Sequence, residues 1–299
     1  MPRLALATSS KFPTLTEDDR LLLEPLRGQR IDAHPAIWNN PAQDWSQFAA
    51  VLIRSCWDYH LAPEKFLAWI AQLESAHIPI LNPAPLIRWN AHKGYLRDLD
   101  TRGIPIVPTF WPEQIAGPIL LREKLRELGW RKAVVKPRIS ATAYRTQLVT
   151  QEDAATAQSL FDELHRGSGA MLQKFMDSIT TEGEWSLIFF AGTYSHAIIK
   201  QPRTGDFRVQ NDFGGTARRA DPPPHVLASA TRAVEAIDPT IYARVDGVVD
   251  DGRFLLMELE LIEPMLFLAD HPEAPTRFAA AIANVLVHRH SNPDAKLVL

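Results

Sequence analysis

Over the first eighty positions, short unbroken apolar runs alternate with stretches whose apolar residues recur at helical spacing. Leu4 to Ala7 and Val51 to Ile53 show no polar alternation, the pattern of strands buried on both faces. Glu17 to Leu26 and Pro63 to Ser75 read as helices, and Ile78 to Leu81 as a third strand. This order predicts an open, mostly parallel sheet that meets ligands at the carboxyl ends of its strands. Arg54-Ser55-Cys56-Trp57-Asp58-Tyr59 follows Val51-Leu52-Ile53 directly. Arg54, Trp57, Asp58 and Tyr59 are therefore candidate substrate contacts, with Arg54 suited to a carboxylate and Asp58 to an ammonium. A helix-entry loop in which Arg54 and Asp58 satisfy each other accounts for the same residues.

Asn82-Pro83-Ala84-Pro85 closes this lobe, and Ala91 to Arg102 reads as a helix stopped by Gly103. A second α/β unit follows: a helix over Ile119 to Leu128, a strand over Lys132 to Lys136, a strand near Thr146 to Val149, and a helix over Glu152 to Leu164. From Ala170 to Lys174 onward the pattern is mainly strand, with Trp185 to Ala191 and Tyr194 to Ile199. Helices are predicted over His225 to Ala236, behind three prolines, and over Pro275 to His288.

The stretch from Ala243 to Leu261 carries the most chemistry. Two apolar-rich runs flank Asp250-Asp251-Gly252, a hairpin-turn sequence. Side chains two apart share a face, so Arg244 points with Asp246, and Glu258 with Glu260. A three-residue loop sets Asp246 opposite Glu258 and Arg244 opposite Glu260; a two-residue loop puts the two sets on opposite faces. In the first register, three carboxylates share one surface and suit a hard divalent cation. An edge hairpin whose polar face meets water is the alternative.

Composition narrows the class. The chain has 299 residues, enough for two or three lobes, and is 46% hydrophobic and 22% charged. A net charge of −3 gives no large basic excess for a nucleic-acid groove. A single cysteine, Cys56, excludes an internal disulfide and fits a reducing compartment. With neither a signal-peptide pattern nor a membrane-length apolar segment, the expectation is a cytoplasmic protein without membrane or nucleic-acid partners.

Ala133-Val134-Val135-Lys136-Pro137 and Ala197-Ile198-Ile199-Lys200 each end an apolar strand in a lysine. Such a lysine meets an anion such as phosphate, or extends its stem to reach water. The loop after Lys136 holds Ser140, Thr142, Tyr144, Arg145 and Thr146, donors able to wrap a polyphosphate. Gln173-Lys174-Phe175-Met176 offers backbone groups and apolar walls to an adenine, or is an ordinary core strand. Glu184 is placed to hold ribose hydroxyls, or sits in a solvated turn. Gly205 to Asn211, then Gly214-Gly215, form a polar loop carrying Arg208.

In this order the pieces resemble the ATP-grasp superfamily over nearly the whole chain. The resemblance implies α+β lobes clamping ATP behind a Rossmann-like N-terminal lobe, with domains at 1–88, 89–173 and 174–299. It implies Lys93 and Lys136 as phosphate lysines, Gln173, Lys174, Phe175 and Met176 as the adenine segment, and Glu184 on the ribose. It makes Asp246, Glu258 and Glu260 ligands of one or two Mg2+ (or Mn2+), with Lys200, Arg244 and Arg208 as catalytic residues. Two departures stand out: Ile139 to Thr146 contains no glycine, and Glu260 stands where Asn is more frequent. Arg54 to Tyr59, Thr181 to Ser186 and Met257 to Pro264 are similar to a small-molecule branch, the O-ureido-D-serine cyclo-ligases of antibiotic biosynthesis. The resemblance therefore implies carboxylate activation by ATP and ring closure onto a nitrogen of the same small amino-acid-like molecule. An intermolecular carboxylate–amine ligase and a small-molecule kinase are the alternatives, and a homo-oligomer is left open.

Overall fold

The structure, a computed structural model, describes residues 1–112, 117–167, 169–209 and 213–291, with side chains to residue 287. Gln210 and Asn211 of the predicted polar loop lie outside the described residues. The apolar runs of the first lobe form a parallel sheet ordered β2-β1-β3-β4, from Arg3–Thr8 (β1), Asp32–Ile37 (β2), Ala50–Ser55 (β3) and Ile80–Leu81 (β4). The pattern did not predict β2, a short edge strand whose apolar residues are mostly alanine and which is interrupted by Pro35, as an edge tolerates. The helix expected over Glu17 to Leu26 is two short ones, Glu17–Arg20 (α1) and Leu23–Gly28 (α2). Pro25 requires the break, because its ring excludes an uninterrupted preceding turn. Pro63–Ser75 (α3) is as predicted, whereas Ala84–Asn90 (α4) was read as a loop although Pro83 and Pro85 open it.

A small lobe follows. Thr109–Phe110 (β5), Lys132–Pro137 (β6), Gln147–Thr150 (β7) and Ala170–Lys174 (β8) pair antiparallel in the order β5-β8-β6-β7. Leu121–Glu127 (α6) and Ala154–Arg166 (α7) back this sheet, with Leu125, Phe161 and Leu164 against Ala133, Val135 and Leu172. The boundary expected at 88/89 falls inside α4, and the one at 173/174 inside β8. Tyr95–Thr101 (α5) does not belong to the small lobe. Its Tyr95, Leu96 and Leu99 pack on the C-terminal sheet, because they present an apolar face that the small lobe's own core does not need.

The C-terminal sheet is antiparallel, ordered β11-β10-β9-β12-β13: Glu184–Phe190 (β9), Thr193–Gln201 (β10), Thr216–Arg219 (β11), Tyr242–Asp250 (β12) and Arg253–Glu260 (β13). A one-turn α8 (Ser178–Thr181) precedes it. Strand alternation gives its faces different jobs. Leu187, Phe189, Ala197, Ile199, Ala243 and Val245 face Pro224–Glu235 (α9) and α5. On the other face, Ile188, Phe190, Ile198 and Tyr242 pack on Ala274–Ser291 (α10) and on the first lobe. The rest of that second face is polar: Glu184, Ser186, Lys200, Arg244 and Asp246, all buried. No helix among the described residues is long and apolar enough to cross a membrane.

His196, on β10, is 2% exposed, and its Nε2 lies 2.9 Å from the Leu266 carbonyl oxygen. Burial holds its pKa down to about 4. The unfolded chain therefore takes up this proton first, and stability is whole above about pH 6.5 and lost as pH falls toward 4. The expected loss is about 3 kcal/mol at pH 4. Urea unfolding of wild type and His196→Gln at pH 7 and pH 4 checks it: the stability difference shrinks by that amount, and a constant difference contradicts it.

Candidate active site

The hairpin places the acids through a compromise that neither loop length alone provides. Asp250 pairs with Arg253, so the turn has two residues, Asp251 and Gly252, at φ 46° and 72°, as a type I′ turn requires. That register alone would separate the carboxylates. Between Asp246 and Gly247 the pairing slips by one, with Gly247 opposite Leu256 but Asp246 opposite Glu258. Met257 is the extra residue of this bulge, and it restores the pairings Asp246–Glu258 and Arg244–Glu260. Gly247 makes the bulge possible: a Cβ there would stand 2.4 Å from Phe254 Cζ and 2.5 Å from the Leu255 carbonyl oxygen.

β13 is an edge strand, and its outward backbone groups find side-chain partners. Asn90 donates to the Leu259 carbonyl at 2.7 Å and accepts from the Leu261 N–H at 3.0 Å, in place of a neighbouring strand. The Tyr95 hydroxyl accepts from the Leu259 N–H at 3.0 Å. Asn82, at φ 72° and fully buried, bonds the backbone of Ile241, Tyr242 and Leu261, tying the first lobe to the strand ends. None of these three residues was singled out in the sequence; each joins segments more than 150 residues apart, which spacing cannot reveal.

One cavity opens between the small lobe, the C-terminal sheet and the first lobe, and acids and cations alternate across its floor. Lys93 and Lys136 both reach Glu258, at 2.9 and 3.0 Å. Lys200 lies 2.5 Å from Glu184 and 3.5 Å from Asp246. Arg244 grips Asp246 through Nε and Nη2, reaches Glu260 at 2.6 Å, and donates to the Met265 carbonyl at 3.0 Å. Ser186, opposite Asp246 on β9, donates to it as well. Burial works against ionisation of Glu258 and Asp246, yet the adjacent cations hold both pKa values below the usual carboxylate range. Burial outweighs Arg244 at Glu260, and with Asp246 and Glu258 nearby its pKa is pushed up to about 7. The sheet thus brings all three expected metal ligands to one cavity, each engaged by a cation of the chain. Among the described residues no three such side chains converge into a ready-made metal cage.

The roof comes from the small lobe. Ser140, Ala141, Thr142, Ala143 and Thr146 line the cavity, and Thr142, Ala143 and Arg145 adopt left-handed φ of 50° to 55°. Without glycine, the loop makes its tight path with residues that rarely adopt it. Ile139 and Ala141 pack on the first lobe's core, and Tyr144 lies against His60 with ring centroids 5.0 Å apart. Gln173, Lys174, Phe175 and Met176 also line the cavity. The N–H groups of Lys174 and Phe175 already donate to Pro108 and Lys132, leaving the Met176 end of the segment to meet a ligand edge. Arg208 faces the cavity, paired with Asp206 at 2.8 Å and stacked on Phe213.

The proposed zwitterion clasp of the first lobe is not assembled. Trp57 and Tyr59 line the cavity; Arg54 and Asp58 do not. Arg54 still belongs to β3, is 1% exposed, and pairs with Asp19 at 2.9 Å while donating to the Pro264 carbonyl. Asp58 accepts from the Trp38 indole at 2.8 Å. The two are therefore not each other's partners either. Asp58→Asn is expected to leave KM for both substrates at wild-type values and to lower stability by about 1 kcal/mol through the weakened indole bond. A raised KM for the amino acid alone would return Asp58 to the site.

Comparison with known proteins follows the same outline. Residues 4–82 match the model described as the N-terminal domain of D-cycloserine synthetase DcsG. Across 95% of this chain and 98% of the relative, 32% of residues are identical to the cycloserine biosynthesis protein DcsG of Streptomyces lavendulae. The chain belongs to the D-cycloserine synthetase family. The crystal structure of D-cycloserine synthetase DcsG superposes with a TM-score of 0.85 at 32% identity, covering 95% of this chain and 99% of that one. D-alanine–D-alanine ligase from Bacillus anthracis, complexed with ATP, gives 0.68 at 15% identity over 98% and 100%. The ATP-grasp ligase PsnB, complexed with a minimal precursor, gives 0.63 at 17% over 95% and 99%. The α/β architecture is thus the ATP-grasp fold with a Rossmann-like N-terminal lobe, as the resemblance implied. This member of the D-cycloserine synthetase family is an ATP-dependent ligase.

Proposed function

We propose that this ligase uses ATP and Mg2+ to activate the carboxylate of O-ureido-D-serine and closes it onto the oxygen-bound nitrogen of the same molecule, phosphate leaving as that C–N bond forms. Hydrolytic loss of the carbamoyl group from the same nitrogen, as carbon dioxide and ammonia, then leaves the ring of D-cycloserine. The full-length likeness to a cycloserine biosynthesis protein supports the substrate. The observation that carries the chemistry is the floor itself, where each expected metal ligand is ion-paired with a residue expected to hold phosphate or substrate. Such pairs exchange partners on ligand binding. Asp246, Glu258 and Glu260 turn to the cation, while Lys93, Lys136 and Lys200 turn to the phosphates. The donor set fits Mg2+: Asp246, Glu258 and Glu260 would hold it, and a hard cation suits their carboxylate oxygens. Bound there, it neutralises phosphate charge.

The chain's own residues supply positioning. Gln173 to Met176 form the adenine wall and Glu184 holds the ribose. The Ser140 to Thr146 loop covers the phosphates, and Lys200 and Arg208 fix the transferring group. Arg244, held by Asp246 and the Met265 carbonyl, faces the reacting carboxylate and stabilises the oxyanion that develops as nitrogen attacks. Ring closure needs one substrate pocket, because the nucleophile arrives with the electrophile.

Mass spectrometry of a reaction containing O-ureido-D-serine, ATP and Mg2+ tests the proposal. ADP and a cyclic product support it. An open amide formed only when a second amino acid is added would replace cyclisation by intermolecular ligation, and a phosphorylated hydroxyl would replace both.

A further inference from the structure

We infer that Glu263 is a specificity-determining residue that receives the α-ammonium of the amino-acid substrate; this rests on the amino-acid substrate proposed above. Four acids on the cavity floor, Glu184, Asp246, Glu258 and Glu260, are ion-paired to cations of the chain. Glu263 lines the same cavity, and among the described residues its carboxylate has neither an ion pair nor a hydrogen bond. Burial, then the neighbouring Glu260, push its pKa well up, while Lys93 and Arg244 act on it only from beyond ion-pair distance, so it lacks the direct cationic partner that the others have. A ligand cation supplies one.

The placement is built rather than incidental. The Trp57 indole donates to the Glu263 backbone carbonyl at 2.8 Å, and Arg54 holds the next residue through the Pro264 carbonyl. The first lobe thus anchors this segment by two bonds. Trp57 itself is braced edge-on by Phe12, with ring centroids 5.1 Å apart. Trp57, Tyr59 and Phe267 give the cavity aromatic walls nearby, which favour a compact cation over bulk water. Arg244, on β12, donates to the carbonyl of Met265, two residues beyond Glu263, so the cation for a substrate carboxylate is tied to the segment that carries the anion for an ammonium. An α-amino acid carries those two charges one carbon apart. The first lobe therefore contributes to amino-acid recognition by positioning Glu263, instead of through Arg54 and Asp58.

Steady-state ADP release by wild type and Glu263→Gln, with O-ureido-D-serine and with its deamino analogue, tests this. The expected result for the variant is a KM for the amino acid raised about a hundredfold, as for loss of a buried charge-assisted bond, with KM for ATP unchanged. Against the deamino analogue the two enzymes should perform alike. Equal losses on both substrates, or an unchanged KM for the amino acid, overturn the inference while leaving the proposed reaction standing. Wild-type enzyme that releases no ADP with any α-amino acid overturns the proposed function and this inference together.

Discussion

Glu258→Gln is expected to lower kcat/KM by roughly a thousandfold, about 4 kcal/mol of transition-state stabilisation, since a neutral amide is a poor ligand for a hard cation. The same substitution has a second effect in the ligand-free protein. Lys93 and Lys136 both depend on Glu258 and are 8% and 7% exposed, so without it two neighbouring ammonium groups stay buried with no ion-pair partner. Breaking a buried pair in this way costs about 3 kcal/mol or more. Thermal unfolding should therefore show a destabilised variant that ATP rescues more strongly than it stabilises wild type, because the phosphates supply the missing anion. A variant with full magnesium-dependent turnover would make Glu258 a structural counter-ion only.

Gly247→Ala should be nearly as damaging, although residue 247 bears no chemistry. The added methyl meets the Leu255 carbonyl oxygen at 2.5 Å, and a backbone atom cannot turn aside as a side chain can. Relief requires β12 and β13 to separate or to lose the bulge, and losing the bulge moves Glu258 and Glu260 off the floor. The expectation is about 3 kcal/mol of lost stability, together with turnover reduced at least a hundredfold in the folded fraction. Denaturant unfolding and single-turnover ADP release on the refolded variant separate the two effects. Wild-type values for both would mean that the strands absorb the methyl.

How much could be read from the chain follows from how far apart partners lie. Leu4 to Ala7 and Val51 to Ile53 were legible because a strand covered on both faces needs no polar residue. β2 and β11 were not, since Asp32–Ile37 is a short edge strand of small residues broken by Pro35 and Thr216–Arg219 is a polar edge strand, and neither carries a large apolar signal. The acids of the hairpin were legible as a face, but their register was set by a bulge that no turn sequence announces. Arg54 and Asp58 looked like a matched pair because they are close in sequence. Their true partners, Asp19 and Trp38, are 35 and 20 residues away. Asn90 becomes visible only when the first lobe is laid against the end of β13, whereas Glu263 already stood in the stretch from Met257 to Pro264 as the second place to seek an amino-acid pocket.

The mixing of cores has a consequence for how the molecule comes apart. The cluster around Tyr242 and Phe278 joins Leu4, Leu6, Leu22 and Leu52 of the first lobe to the C-terminal sheet, with Asn82 fastened between them. The small lobe's cluster, by contrast, draws only on residues between Phe110 and Leu172. Three lobes therefore amount to two cooperative units, one of them assembled from the two ends of the chain. Amide exchange should register the small lobe opening by itself, while residues 3–81 and 184–286 release their protons at a common, higher free energy. A fragment beginning at residue 89 would carry every acid of the hairpin and still not be a domain, because more than a third of the core beneath those acids is left behind.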